Sequence, residues 1–371
     1  MKVLFTGGGT AGHINPALAA AGYLLQKEPD AQILYVGNKG GMEERLVAQA
    51  GYDMKTVHIS GFQRKLTPKN LWRNAQTVVR VFTATVEAKR IIQEFGPDVC
   101  VGTGGYVCGP VLREAAKLGI PCVIHESNAY PGVTTKMLAK SVKAVMLAVP
   151  DAKQYFDSSV NCVVTGNPVR GEVLTAQREE SRKALGLDER PVVLSFGGSL
   201  GASALNRAAA YMLAQSAKTG EYQHIHGYGQ HDEKFLDEAH AAGVREEENP
   251  QIRMLEYIHN MPECLAAADL VIGRAGAITL TEIEATGKCS ILIPSPNVAE
   301  NHQFHNAMAL VNRDAAVLIE EKDLTGEKLW ETVNEILSKP GRAEEIGRNA
   351  RAMAVLDANE RIYRIIKAKA K

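Results

Sequence analysis

Three glycine-rich segments stand where an anionic ligand could be handled: Gly7-Gly8-Gly9-Thr10-Ala11-Gly12, Gly102-Thr103-Gly104-Gly105-Tyr106 and Gly197-Gly198-Ser199-Leu200-Gly201. Each follows a short apolar run that reads as a strand. Without a Cβ, glycine lets such a turn take positive φ and brings backbone close to a ligand, while free N–H groups at the start of a following helix favour negative charge. One loop of this kind is equally well a bare turn between strand and helix. Three of them point to ligand binding. His13 comes directly after the first loop, at an expected helix N-terminus where the macrodipole disfavours imidazolium. A neutral imidazole there can take a proton as a general base, and the position also suits a histidine that merely caps or packs the loop.

The first loop matches GxGxxG, which raises a nicotinamide-dependent oxidoreductase as a reading. That fingerprint needs an acidic residue at the end of the second strand to hold ribose. Here Ile33-Leu34-Tyr35-Val36 runs into Gly37-Asn38-Lys39 instead, which argues against NAD(P).

Apolar strand runs alternate with longer amphipathic segments, the pattern of βα units around a parallel sheet. The first series lies near 2–6, 31–36, 54–58, 98–101, 121–124 and 143–147, the second near 191–196, 223–227, 252–255, 269–272, 289–293 and 315–319. Gly166-Asn167-Pro168 punctuates the chain between them. Val3 to Thr6 and Val192 to Phe196 each lead into a glycine turn, so both halves open alike. The expected fold is α/β, two Rossmann-like lobes of doubly wound parallel sheet facing across a cleft where ligands of open α/β sheets bind. The expected domains are 1–165 and 166–341, with a C-terminal helix in 342–371 rejoining the first lobe.

Bulk composition narrows the classes. A chain of 371 residues with 45% hydrophobic content can bury two cores. Lys plus Arg and Asp plus Glu both number 42, so no global field draws the protein to nucleic acid. The six cysteines form no CxxC pair or zinc-spaced cluster and read as reduced thiols, and no paired acidic metal motif is present. The N-terminal apolar run is too short for a signal peptide, and no run approaches a membrane span.

Taken in order, the three loops together with His125-Glu126-Ser127-Asn128, Gly166-Asn167-Pro168-Val169-Arg170 and Arg274-Ala275-Gly276-Ala277 running to Glu282 resemble one family over nearly the whole chain. It is the family of GT-B glycosyltransferases that add GlcNAc to the lipid-linked precursor of bacterial peptidoglycan. The resemblance implies a donor, UDP-GlcNAc, bound by the C-terminal lobe. Ser199 would meet the diphosphate, Arg170 would bring it positive charge, and Glu282 would accept from the ribose hydroxyls. Ala277, Ile278, Thr279, Leu280 and Thr281 would line the diphosphate pocket with amides, Ile258 would contact uracil through its backbone, and Gln303 would offer an amide donor and acceptor to the sugar. Thr10, Ala11, Gly12 and Asn128 would complete the sugar site, with His13 as catalytic base. No cofactor or metal is implied. Ala11, Ser127, Leu200 and His302 depart from the family's usual glycine or glutamine at those places.

Between Phe62 and Gln93 lie seven cations (Arg64, Lys65, Lys69, Arg73, Arg80, Lys89, Arg90) and one anion (Glu87), interleaved with Leu71, Trp72, Val78, Val79, Val81 and Phe82. Such a segment suits an anionic bilayer surface, while part of it must pack as an ordinary helix. With the resemblance, it implies a peripheral protein on the cytoplasmic face of the bacterial plasma membrane, acting on undecaprenyl-linked lipid I. Three rival readings are another GT-B enzyme such as a UDP-GlcNAc epimerase, an NAD(P)-dependent oxidoreductase, and a non-catalytic sugar-nucleotide binder.

Overall fold

In a computed structural model, which describes residues 1–60, 68–232 and 234–371 and for 68–79 the backbone alone, the apolar runs become strands, those at the sheet centres buried on both faces and the edge strands at 53–57 and 317–318 only in part. In chain order the first elements are β1 (Lys2–Thr6), α1 (Ala11–Lys27), β2 (Gln32–Asn38), α2 (Met42–Gln49), β3 (Asp53–Val57), α3 (Pro68–Phe95), β4 (Val99–Gly102), α4 (Cys108–Lys117), β5 (Cys122–Glu126), α5 (Val133–Leu138), β6 (Ala144–Leu147) and β7 (Cys162–Val164). There follow α6 (Gly171–Thr175), α7 (Arg178–Ala184), β8 (Val192–Phe196), α8 (Ser203–Thr219), β9 (Gln223–Gly227), α9 (Phe235–Ala241), β10 (Ile252–Leu255), α10 (Met261–Ala267), β11 (Leu270–Gly273) and α11 (Ala277–Thr286). The chain ends with β12 (Cys289–Leu292), α12 (His302–Val311), β13 (Val317–Leu318), α13 (Gly326–Leu337), α14 (Arg342–Met353) and α15 (Ala358–Lys369).

Two parallel sheets result, ordered β3-β2-β1-β4-β5-β6-β7 and β10-β9-β8-β11-β12-β13. Both reverse direction beside their first strand, the doubly wound order that leaves a ligand crevice at the carboxyl ends of the central strands. All twelve expected runs are strands. The thirteenth, β7, is only three residues long and abuts the Gly-Pro break, so its sequence shows no separate run.

The chain divides into two compact units, 1–168 with 355–371, and 169–354. In the first, Val3 and Phe5 face a cluster with Ala17, Ala21 and Leu24 of α1, and Leu4 faces the opposite cluster with Ala84, Ala88 and Ile92 of α3. The expected single helix within 342–371 is two. Ile346 of α14 is buried in the core of the second unit, and Gly347 packs so tightly on the Gly287 carbonyl that a Cβ would lie 2.3 Å away. Extended backbone at Ala354 (ψ 132°) ends α14, and only α15 joins the first unit. There Ile362 and Ile366, one turn apart, add roughly 1.5–3 kcal/mol each by burial against α1. Tyr23 donates to Glu360 at 2.8 Å, and Tyr363 to Glu28 at 3.0 Å.

The core of the second unit contains a pH-sensitive element. His224 and His226 on β9 are fully buried, and burial pushes both imidazoles down to about 3. Ser195 lies 2.7 Å from His226 Nδ1, whereas neither ring nitrogen of His224 has a hydrogen-bond partner among the described residues. The unfolded chain protonates these rings below about pH 6.5 and the folded chain does not, so their neutrality stabilises the fold above that pH and the stabilisation is lost as pH falls. Unfolding free energies of wild type and His224→Leu, measured by denaturant titration from pH 7 to 5, are expected to change differently. The wild type should lose about 1.4 kcal/mol more per pH unit below 6.5.

Candidate functional site

In the first unit, the site is built where β1 and β4 end side by side. The Gly8 amide donates to the Gly104 carbonyl at 3.3 Å, binding the first two glycine loops together, and the Thr103 hydroxyl donates to the His13 carbonyl at 2.6 Å. A Cβ on Gly105 would lie 2.2 Å from the Gly8 carbonyl oxygen, so the contact between loops requires glycine there. Beneath them Tyr35 is buried and donates to the Gly7 carbonyl at 2.9 Å; burial, with smaller contributions from Cys108 and Glu43, raises its phenol well above the usual range. The Cys108 thiol is also buried and pushed up to about 11, which suits packing and not nucleophilic attack.

His13 sits in the first turn of α1, half-buried, with Thr10 as the N-cap residue. Its Nδ1 lies 3.0 Å from the Gly8 carbonyl oxygen and 3.3 Å from the Thr10 hydroxyl. A carbonyl can only accept, so this bond places the proton on Nδ1 and leaves the Nε2 lone pair to act as a base. The ring packs against Gly104, whose φ of +105° and absent Cβ both matter: a Cβ there would lie 2.7 Å from His13 Cδ2. Thr10, Ala11 and Gly12 are exposed at the start of the same helix. Asn128 is half-buried at the end of β5, where its backbone and side-chain amides donate to Glu126 Oε1 at 3.1 and 3.0 Å. Glu126 Oε2 accepts from the Gly132 amide at 2.9 Å, so this buried carboxylate shapes the whole 127–132 turn.

Two further motif residues secure the end of the first unit. Buried His125 lies with Nε2 2.9 Å from the Gly166 carbonyl, and Asn167 donates to the Ser127 carbonyl at 3.2 Å. Burial keeps the His125 imidazole below its ordinary range. Sequence reasoning did not single out Glu43. It lies wholly buried under the first loop and accepts from the Gly9 amide at 3.1 Å.

In the second unit, Arg170 and Glu282 are brought together across 112 residues of chain. Arg170 donates from Nε at 3.0 Å and from Nη2 at 2.7 Å, both to Glu282 Oε1. Burial raises the Glu282 carboxyl above its usual range, and the guanidinium opposes that rise. Ala277, Ile278 and Thr279 form the half-buried first turn of α11, with Leu280 and Thr281 buried behind them. The Thr281 hydroxyl donates back to the Ala277 carbonyl at 2.9 Å, and the first amides of α11 have no acceptor within the helix.

Ser199 is exposed in the turn after β8, four residues ahead of the first residue of α8, and so belongs to the glycine turn and not to the helix's first turn. Its carbonyl accepts from the Gln230 amide at 3.2 Å, which fixes the turn against the β9 loop. The Ile258 side chain is buried, and a Cβ on Gly227 would lie 3.0 Å from its Cδ1, so only its backbone remains for a ligand. The Gln303 side-chain oxygen accepts from the Ser295 amide at 2.8 Å, which orients the group and leaves its NH2 and the oxygen's second lone pair to a ligand. Glu300 and Asn301 just before it hold φ near +50°, a strained pair of non-glycine residues of the kind that clusters at ligand sites.

Of the basic segment, residues 61–67, including Arg64 and Lys65, lie outside the described residues, as do the side chains of 68–79. Further along α3, Phe82 and Val86 are 71% and 70% exposed on one helix face, with Lys89 and Arg90 also exposed. Among the described residues, no helix is long and apolar enough to cross a membrane, and no His, Cys, Asp and Glu side chains group at metal-binding distance.

Comparison with known proteins matches residues 3–147 to the glycosyltransferase family 28 N-terminal domain and residues 192–362 to its C-terminal domain. A protein of Thermoanaerobacter sp. (strain X514), named UDP-N-acetylglucosamine–N-acetylmuramyl-(pentapeptide) pyrophosphoryl-undecaprenol N-acetylglucosamine transferase, is 45% identical over 99% of this chain and 100% of its own. One of the same name from Acetivibrio thermocellus is 43% identical over 99% of this chain and 98% of its own. The crystal structure of Acinetobacter baumannii MurG superposes with a TM-score of 0.80 at 30% identity, covering 99% of each chain. Two parallel-sheet units of this order are the GT-B architecture. The chain thus belongs to glycosyltransferase family 28, among the UDP-N-acetylglucosamine–N-acetylmuramyl-(pentapeptide) pyrophosphoryl-undecaprenol N-acetylglucosamine transferases.

Proposed function

We propose that this enzyme moves GlcNAc from UDP-GlcNAc to the C4 hydroxyl of MurNAc on lipid I, forming the β-1,4-linked disaccharide of lipid II. The observation that carries the reading is the His13 ring, tethered at Nδ1 to the Gly8 carbonyl so that Nε2 is the basic nitrogen. The step is a single in-line displacement. The acceptor oxygen forms a bond to C1 of GlcNAc on the face opposite the diphosphate, the C1–O bond to UDP breaks with inversion, and the hydroxyl proton passes to His13 Nε2. Arg170, Ser199 and the amides that open α11 would stabilise the charge on departing UDP. Glu282 would take the ribose hydroxyls, the Ile258 backbone uracil, and the Gln303 amide and Asn128 the sugar.

The relatives' names support the donor and the lipid-linked acceptor. Exposed Phe82 and Val86 beside Lys89 and Arg90 support contact with an anionic membrane surface, and with it a peripheral place on the cytoplasmic face of the plasma membrane. A ligand that binds only the folded state raises the melting temperature by mass action. UDP-GlcNAc at saturating concentration is therefore expected to raise Tm by several degrees and NADH or NADPH to leave it unchanged. The reverse result would favour the oxidoreductase reading and overturn this one.

A further inference from the structure

Glu43, in the first turn of α2, has none of its surface exposed, and three glycines from separate segments make room for it. A Cβ on Gly8 would lie 1.8 Å from its Oε1, one on Gly41 would lie 2.2 Å from its Oε2, and one on Gly37 would lie 3.0 Å from its own Cβ. Burying a carboxylate is costly unless donors compensate it. The compensation here is one amide: Gly9 N–H reaches Oε1 at 3.1 Å, while Oε2 has no hydrogen-bond partner among the described residues. So much accommodation for one acidic side chain calls for a role beyond filling space.

The amide that Glu43 holds belongs to the Gly8–Gly9 peptide, and the carbonyl of that same peptide accepts from His13 Nδ1 at 3.0 Å. Carboxylate, peptide and imidazole are therefore in series. The N–H and C=O of one planar peptide point in opposite directions and share a dipole. Negative charge at the N–H end polarises the carbonyl and makes it a stronger acceptor, as hydrogen bonds in a chain polarise one another in a low-dielectric interior.

We propose that Glu43 is a positioning residue that acts on His13 through the Gly8–Gly9 peptide. It orients the carbonyl that fixes the proton on Nδ1, and its charge stabilises the imidazolium formed when Nε2 accepts the hydroxyl proton of the acceptor. Nδ1 keeps its own proton throughout, and none passes along the peptide. A carboxylate bonded directly to a histidine does this in hydrolases, and here one peptide intervenes. The inference rests on the reading of His13 as the base.

Glu43→Gln keeps the size and an acceptor for Gly9 but removes the charge. With UDP-GlcNAc and a lipid I analogue as substrates, E43Q is expected to lower kcat about tenfold or more while leaving the KM for UDP-GlcNAc within about twofold. Introduced into H13A, the same substitution is expected to have no further effect, because the group it serves is gone. In 15N spectra of the wild-type protein, His13 is expected to carry its proton on Nδ1 with Nε2 bare, a readout that needs no variant to fold. Wild-type kcat in E43Q, equal losses with and without His13, or a proton on Nε2 would each overturn the proposal, and the wild-type tautomer still puts it at risk if E43Q does not fold. An unchanged kcat in H13A would instead remove the base reading itself.

Discussion

His13→Ala is expected to lower kcat by roughly 10²–10⁴, the usual worth of a positioned general base, while UDP-GlcNAc binds as tightly as to wild type. The split follows from the position of the ring. His13 is held by groups of the first unit, Gly8, Thr10 and Gly104, while the nucleotide of the donor is assigned to residues of the second and its sugar to Gln303 and Asn128, so the substitution removes a proton acceptor without removing an assigned donor contact. Gly104→Ala offers an independent route to the same defect. Its Cβ would intrude on the His13 ring at 2.7 Å from backbone at φ +105°, which an alanine adopts only under strain. Steady-state kinetics beside calorimetric titration of UDP-GlcNAc separate the two quantities. A normal kcat in H13A would exclude the histidine as base, and a matching loss of donor affinity would make it a binding residue.

The second large effect is expected at Glu282. Both hydrogen bonds from Arg170 fall on Oε1, so Oε2 is the oxygen through which ribose hydroxyls would be accepted. Glu282→Ala removes that acceptor and releases the Arg170 guanidinium, whose side chain is half-exposed and pays little to return to water. Two lost charge-assisted hydrogen bonds should raise the KM for UDP-GlcNAc by about ten- to a hundredfold or more. A kcat loss of only severalfold should accompany it, since ribose is remote from the bond that breaks. An unchanged KM would place the ribose elsewhere, and a loss confined to kcat would move Glu282 toward the diphosphate.

Much of this architecture is legible in the residues. Strands buried on both faces, such as Val3-Leu4-Phe5 and Val192-Val193-Leu194, need continuous apolar runs, and glycine turns follow β1, β4 and β8. What escapes the sequence depends on partners far along the chain. Glu43 stands in Met-Glu-Glu-Arg, a string that reads as a solvated helix start, and only folding brings it under Gly8 and Gly9, more than thirty residues earlier. At the end of β2 stands Asn38, where a ribose-binding acid would be. The acid that matters comes five positions later and meets the loop's amide from beneath, where a ribose could not lie.

The same reason accounts for the site residues whose roles narrowed. Arg170 and Glu282 are each recognisable through the family resemblance, yet their pairing is a tertiary fact. The Gln303 side-chain oxygen is oriented by the Ser295 amide, which local sequence cannot reveal. The break between α14 and α15 was hidden because both helices are amphipathic, and only the cores they enter, one with Ile346 and the other with Ile362 and Ile366, tell them apart.

The central claim is the transfer itself, and it is tested most directly by incubating the purified protein with radiolabelled UDP-GlcNAc and a lipid I analogue, with and without chelator. The account predicts a labelled product carrying a β-1,4-linked GlcNAc on MurNAc, one UDP released per sugar transferred, and the same rate in both arms. Release of free GlcNAc or of its 2-epimer without labelled lipid would contradict it.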